Sequence, residues 1–181
     1  NLTHRLQSEG FSGKTLVLTS QGGMIEAEEM ASAPIHAINS GPSMAPIAGR
    51  YYAQLECDED SLIIADTGGT TYDVSLVRKN RIPKTRETWI GQSFRGHMTG
   101  FPSIDIKSVG AGGGSIAKVD EGGILHVGPG SAGAVPGPVC YDMGGTEATL
   151  TDACLVLGYI DPSYFLGGEM SLNTNLAREV I

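Results

Sequence analysis

The stretch SLIIADTGGTTYDVSLV, Ser61 to Val77, sets two apolar runs on either side of a turn of small residues. "LIIAD" and "YDVSLV" have the composition and length of strands, so Gly68-Gly69-Thr70-Thr71 between them reads as a hairpin tip. A plain hairpin needs only its glycines. Asp66 and Asp73 flank this tip as well, and two threonine hydroxyls sit inside it. Backbone N–H groups of such a turn can wrap a phosphate, and the Thr70 and Thr71 hydroxyls add donors for its oxygens. Asp66 would repel a bare phosphate but can hold a hydrated Mg2+ that bridges phosphate oxygens. A structural turn capped by Asp and Thr side chains explains the spacing equally well.

Working outward, "RIPKTRETWI" reads as a third consecutive antiparallel strand, which would make a β-meander. Upstream, Leu2, Leu6 and Gly10 suggest a helix end, and "KTLVLTS" from Lys14 an apolar strand. "GGMIEAEEMAS" places Met24, Ala27 and Met30 at helical spacing before Pro34. "GPSMAPIAGRYYAQL" predicts a second helix with Met44, Ile47, Ala48, Tyr51 and Leu55 on one face. Pro46 fits that helix only within its first turn. Downstream, "SIDIKSVGAGGGSIAKVDEGGILHVGPGSAG" reads as short strands broken at Gly110 to Gly114 and at Glu121-Gly122-Gly123. "AVPGPVCYDMGG" is expected to be an irregular surface loop. "TEATLTDACLVLG" reads as a helix ended by Gly158, and "NTNLAREVI" as the start of another. The expected class is mixed α/β, with strands adjacent in the middle and helices at both ends.

The composition narrows the function classes. A chain of 181 residues, 40% hydrophobic and 18% charged, is that of a globular protein, and no run of about 18 apolar residues is available to cross a bilayer. A net charge of -8, with no basic cluster longer than Arg78-Lys79, argues against a nucleic-acid partner. The three cysteines are widely spaced, which suggests neither a disulfide framework nor a CxxC metal site and fits a reducing cytoplasm. The opening NLTHRLQSEG lacks the pattern of a secretory signal. Glycine, at 26 residues, is about twice ordinary usage, which implies tight turns or close backbone approaches.

Other candidates follow from single motifs. "VGAGGGS", Val109 to Ser115, could bring backbone against a ligand or be a bulge between strands. Asp105 and Lys107 alternate with Ile104 and Ile106, so both polar side chains share one side of a strand, where Lys107 meets a phosphate or solvent. His97 in "FRGHMTG" is a proton carrier, a metal ligand or an exposed loop histidine. Cys140 has no base nearby in sequence and reads as a buried free thiol, as do Cys57 and Cys154. Thr151 and Asp152 stand together at a helix start and are expected to share a side-chain direction suited to a ligand site, with Thr149 or Thr151 as N-cap the alternative. Trp89 reads as packing.

The segment "DTGGTTYDVSLV" resembles the second phosphate loop of the Hsp70, actin and sugar-kinase superfamily, whose Hsp70 version reads Asp-x-Gly-Gly-Gly-Thr-Phe-Asp-Val-Ser. Asp66, Gly68, Gly69, Thr71, Asp73, Val74 and Ser75 match, and Thr70 departs from the third glycine. Together with "NSGP", "SVGAGGGSIAKVD", "GPGSAGAVPGPVCYDMGGTEATLTDACLVLG" and "FLGGEM", the chain resembles the hydantoinase A/5-oxoprolinase family, which includes acetone and acetophenone carboxylase subunits. The resemblance implies a ribonuclease-H-like domain and an ATP-dependent enzyme, with nucleotide held between two such domains that each contribute a phosphate loop. Only one such loop occurs here, so residues 1–181 are expected to be a carboxy-terminal piece of the nucleotide-binding region, inactive by itself.

By the same resemblance, ATP and Mg2+ would be held by Asp66 through the hydrated metal and by Gly68, Gly69, Thr70 and Thr71 at the phosphates. Asp73 would orient the loop, and Gly110, Gly112, Gly113 and Gly114 would lie at the nucleotide cleft. The implied reaction is hydrolysis of a cyclic amide, such as a hydantoin or 5-oxoproline, activated by phosphorylation of its carbonyl. ATP-dependent carboxylation of a ketone is the alternative, and a non-catalytic ATP-driven module of the Hsp70 or actin kind is a third. A hydantoinase B-type partner subunit or domain is implied as well.

Overall fold

Short strands framed by helices make up the computed structural model, which describes residues 2–181. The chain divides into two compact units, Asn1–Ile64 with Val74–Lys107, and Ala65–Asp73 with Ser108–Ile181.

In the first unit α1 (Leu2–Ser8) ends before Gly10, whose φ of +88° is the left-handed conformation glycine adopts without strain. β1 (Leu16–Leu18) pairs antiparallel with β2 (Met24–Glu26). The helix expected from Gly22 therefore starts only at α2 (Ala27–Ser32). The reason is the turn: Thr19 N–H donates to the Gly23 carbonyl at 2.9 Å and Gly23 N–H to Thr19 Oγ1 at 3.2 Å, which folds Met24-Ile25-Glu26 back onto β1. Strand pairing overrides the helical spacing there.

Helix α3 (Ser40–Glu56) carries Pro46 in its interior, beyond the first turn where it was expected. Pro46 is fully buried, and the buried face runs through small residues, Ser43 and Pro46. At Gly49 a Cβ would lie 2.8 Å from Ile64 Cγ1, so the helix rides close on β3 (Leu62–Thr67). Close approach demands small side chains, and the expected apolar face is displaced outward, leaving Tyr51 and Leu55 exposed.

Strand β4 (Tyr72–Val77) completes the hairpin. The next segment does not add a third strand to it. It breaks into β5 (Lys84–Thr85) and β6 (Trp89–Ile90), which pair antiparallel with β8 (Ser103–Ile104) and with β7 (His97–Met98), respectively. Pro83 has no N–H for a ladder, and its carbonyl instead accepts the Asp105 N–H at 3.0 Å. β9 (Ile106–Val109) supplies the third strand, in the order β3-β4-β9.

In the second unit β10 (Ser115–Val119) pairs antiparallel with β11 (Leu125–Ser131). Asp120 closes their turn by accepting the N–H groups of Gly122 and Ile124, both at 2.9 Å. The bond from Ile124, with that from His126, holds the Asp120 carboxyl below its usual range. α4 (Leu150–Val156) and α5 (Thr174–Val180) enclose a core of Cys140, Leu155, Leu172 and Ala177. The segment expected as a surface loop thus buries Val139 and Cys140 in a 3-10 turn, Val139–Tyr141.

Candidate functional site

The hairpin tip lies wholly in the second unit. Gly68 N–H donates to the Thr71 carbonyl at 2.9 Å and closes the turn. The carbonyls of Gly68 and Gly69 are both engaged, accepting the N–H groups of Gly113 (2.9 Å) and Gly114 (2.7 Å). The N–H groups of Gly69, Thr70 and Thr71 have no acceptor among the described residues. Such a run of donors without acceptors, polarised by engaged carbonyls, is the kind of arrangement that can cradle an anion.

The glycine run 110–114 supports the tip, and Gly113 and Gly114 also line the cavity beside it. Two of its N–H groups are spent on the tip, so it buttresses the cradle. The Gly113 carbonyl accepts both the N–H and the Oγ1–H of Thr151, each at 2.8 Å, and the Gly114 carbonyl accepts the Ala132 N–H at 2.9 Å. Gly112 packs so closely that a Cβ there would lie 2.6 Å from Gly68 O, Thr70 N and Thr71 N. Gly110 faces Pro129 at ordinary contact distance.

The two aspartates are in unlike environments. Asp73 is buried; its Oδ2 accepts the Thr71 Oγ1–H at 3.2 Å, which orients the tip, and its Oδ1 has no hydrogen-bond partner. Asp66 is exposed and unpartnered. A buried carboxylate oxygen without a partner requires a water or cation, and a second free carboxylate across the tip adds another hard oxygen. This donor set fits a hydrated Mg2+, although no cluster of three or more His, Cys, Asp or Glu able to hold a metal occurs among the described residues.

Beside the tip lies a cavity of about 650 Å3, a size suited to a nucleoside-sized ligand. One wall is backbone from Gly68 to Thr70 with Gly113 and Gly114; the other is apolar, with Val135, Tyr141, Phe165 and Met170. Tyr141 and Phe165 meet as tilted rings 5.4 Å apart, and burial pushes the Tyr141 hydroxyl above its usual range.

Asp152 holds this wall in position. Fully buried, it accepts from Thr149 Oγ1 and Cys140 N–H at 2.7 Å, Thr149 N–H at 2.9 Å and Val139 N–H at 3.3 Å. Thr149 is the N-cap of α4 and forms a capping box with Asp152. Asp152 therefore faces the interior, where it satisfies the N–H groups of the 3-10 turn, and Thr151 alone of the pair lines the cavity. Burial, with Asp152 beside it, pushes the Cys140 thiol up to about 12, which removes it as a nucleophile.

The remaining candidates lie elsewhere. Lys107 is ion-paired with Asp105 at 2.8 Å, but the single strand expected to carry both is broken at Asp105, which lies between β8 and β9. His97 is exposed, Trp89 packs against Phe94, and Cys57 is exposed where burial was expected. The apolar wall escaped sequence reasoning, because its residues come from irregular segments without periodicity. The Thr149-x-x-Asp152 spacing was the visible signal for the buried clamp.

Fold and site together define a mixed α/β protein with a glycine-built cradle opening on an apolar cavity. Residues 1–181 match the hydantoinase/oxoprolinase family, and the chain belongs to it. It is 42% identical to the caprolactamase subunit alpha of Pseudomonas jessenii, over 95% of this chain and 24% of that one. It is 39% identical to the acetophenone carboxylase gamma subunit of Aromatoleum aromaticum, over 98% of this chain and 24% of that one. Among solved structures, nucleotide-free acetone carboxylase matches with a TM-score of 0.83 at 27% identity, covering 99% of this chain and 24% of that one. The ATP-dependent caprolactamase from Pseudomonas jessenii matches at 0.75 and 39%, covering 99% and 25%. The chain thus spans about a quarter of the length of these relatives. Among the described residues no helix is long and apolar enough to cross a membrane.

Proposed function

We propose that the second unit is the phosphate-binding half of an ATP site in an enzyme that opens a cyclic amide. The observation that carries this reading is the tip itself: engaged carbonyls behind, three unpartnered N–H groups, and a nucleoside-sized cavity alongside. The Gly69, Thr70 and Thr71 N–H groups and the Thr70 hydroxyl would bind phosphate oxygens, and the apolar wall with Tyr141 and Phe165 would seat the nucleoside. Asp66 and Asp73 would hold the waters of Mg2+, which when bound offsets phosphate charge.

An amide carbonyl resists hydrolysis because nitrogen donates into it. Transfer of the terminal phosphoryl group to the carbonyl oxygen makes a far better electrophile, and the cradle's fixed donors favour the charge that develops on the transferred group. The 42% identity to a caprolactamase subunit supports this reading. The 0.83 TM-score to acetone carboxylase supports the carboxylase as the second reading. Relatives described as alpha, gamma and beta subunits support a partner subunit, which we take to be of the hydantoinase B type. The test is ATP hydrolysis by the full-length protein with its neighbouring subunit. A lactam, hydantoin or 5-oxoproline should stimulate it without bicarbonate; stimulation only by a ketone with bicarbonate selects the carboxylase, and stimulation by neither overturns both.

A further inference from the structure

The first unit contains a cavity of about 410 Å3 onto which Arg50, Arg81 and Lys84 converge. None of the three side chains has an ion-pair or hydrogen-bond partner among the described residues, and no carboxylate is among the residues that line the cavity. In a chain of net charge -8, three unpaired cations lining one concavity oppose the general field and concentrate positive potential there. The amides of Gln21 and Asn80 stand at the same rim. The floor is apolar: Ile47, Ile82 and Ile104 line it, and Gly22, at φ +85°, packs directly on two of them. A Cβ at Gly22 would lie 2.8 Å from Ile104 Cδ1 and 3.3 Å from Ile47 Cδ1.

We propose that this cavity is a binding site for a short aliphatic dicarboxylate, separate from the cradle of the second unit and independent of the nucleotide reading. Guanidinium groups offer planar paired donors that match carboxylates, and Lys84 supplies a point charge. Two carboxylates leave one cation for the amide-lined rim, and the methylenes between them lie on the isoleucines. A bare inorganic oxyanion would use the cations but leave the apolar floor uncovered.

Isothermal titration calorimetry on the full-length protein, with glutarate and separately with inorganic phosphate, tests this. Glutarate should bind at low ionic strength, and Arg81→Gln, an exposed change that leaves the fold intact, should weaken it about tenfold. Arg50→Gln should do the same, and Asp66→Asn should leave glutarate binding unchanged. Phosphate binding without glutarate binding overturns the assignment of an aliphatic ligand. Glutarate binding that survives both arginine changes, or no heat with either anion up to about 10 mM, overturns the site.

Discussion

Replacing Gly112 by alanine is the sharpest probe of the cradle. The new Cβ would lie 2.6 Å from Gly68 O, Thr70 N and Thr71 N, about 0.8 Å inside ordinary contact, and all three atoms are backbone. No side chain can swing away. The protein has two ways to respond. Tolerating the overlap costs about 1–3 kcal/mol as overpacking, toward the upper end because the neighbours are rigid. Withdrawing the tip sacrifices the bonds from Gly113 to Gly68 and from Gly114 to Gly69, each worth about 1 kcal/mol net. The second route is no dearer and relieves the clash, so Gly112→Ala should cost about 2 kcal/mol and displace the tip. For a cooperative unit the size of this chain that is a fall in Tm of about 4–8 °C, and a smaller fall where a larger part of the protein unfolds with it. Gly110→Ala is the matched control, since its Cβ would meet only Pro129, at 3.4 Å. Calorimetric unfolding and binding of a fluorescent ATP analogue by the full-length protein read the two effects. Equal Tm values and equal nucleotide affinities for the two variants would refute the buttress reasoning.

Three further outcomes follow from the same geometry. Asp152→Asn turns an amide donor toward the donors that Asp152 now accepts, and should cost about 3 kcal/mol in urea unfolding; a change below about 1 kcal/mol would remove the clamp role. Asp73→Asn should weaken nucleotide analogue binding about tenfold with Mg2+ present and leave it unchanged or tighter with chelator, because the lost carboxylate repels bare phosphate; equal losses in both conditions would rule out the metal role. At pH 8 a thiol reagent should modify exposed Cys57 and spare Cys140. The Cys140 pKa is raised from 9.0 to about 12 in the fold, so above pH 9 the unfolded chain loses its proton first. The associated stability, complete below pH 9, should fall as pH rises toward about 12, and Cys140→Ser should flatten that part of the profile.

What the sequence revealed about the fold depended on how local each feature was. The hairpin was legible because its signal is contiguous: β-forming runs, small residues at the tip and polar groups at fixed offsets. The α3 helix was legible as a helix, but its buried face was not. Periodicity selects the most apolar stripe, whereas Gly49 against Ile64 makes close approach the deciding term and turns the small stripe inward. Met24 to Glu26 carried helical spacing and became a strand because a turn made by Thr19 and Gly23 presented them to β1.

The site divides along the same line, and the division explains the glycine excess. A glycine run has one appearance whether it faces a ligand or another stretch of backbone, so composition alone could not separate these tasks in Val109 to Ser115. The hydrogen bonds show one of these tasks: the run gives two N–H groups to the hairpin's carbonyls and takes two donors from Thr151, while the hairpin's own N–H groups at Gly69, Thr70 and Thr71 have no acceptor among the described residues. One glycine-rich segment thus stiffens the other. A cradle of main-chain donors is effective only if its peptide units cannot rotate, and engaging their carbonyls from behind supplies that rigidity without a side chain entering the site. Asp152 extends the same logic to the apolar wall, fixing an irregular segment by its N–H groups where no regular ladder reaches. The dependence on Gly112 and Asp152 follows from this construction: each supports atoms that touch the cavity while contributing none of its own chemistry.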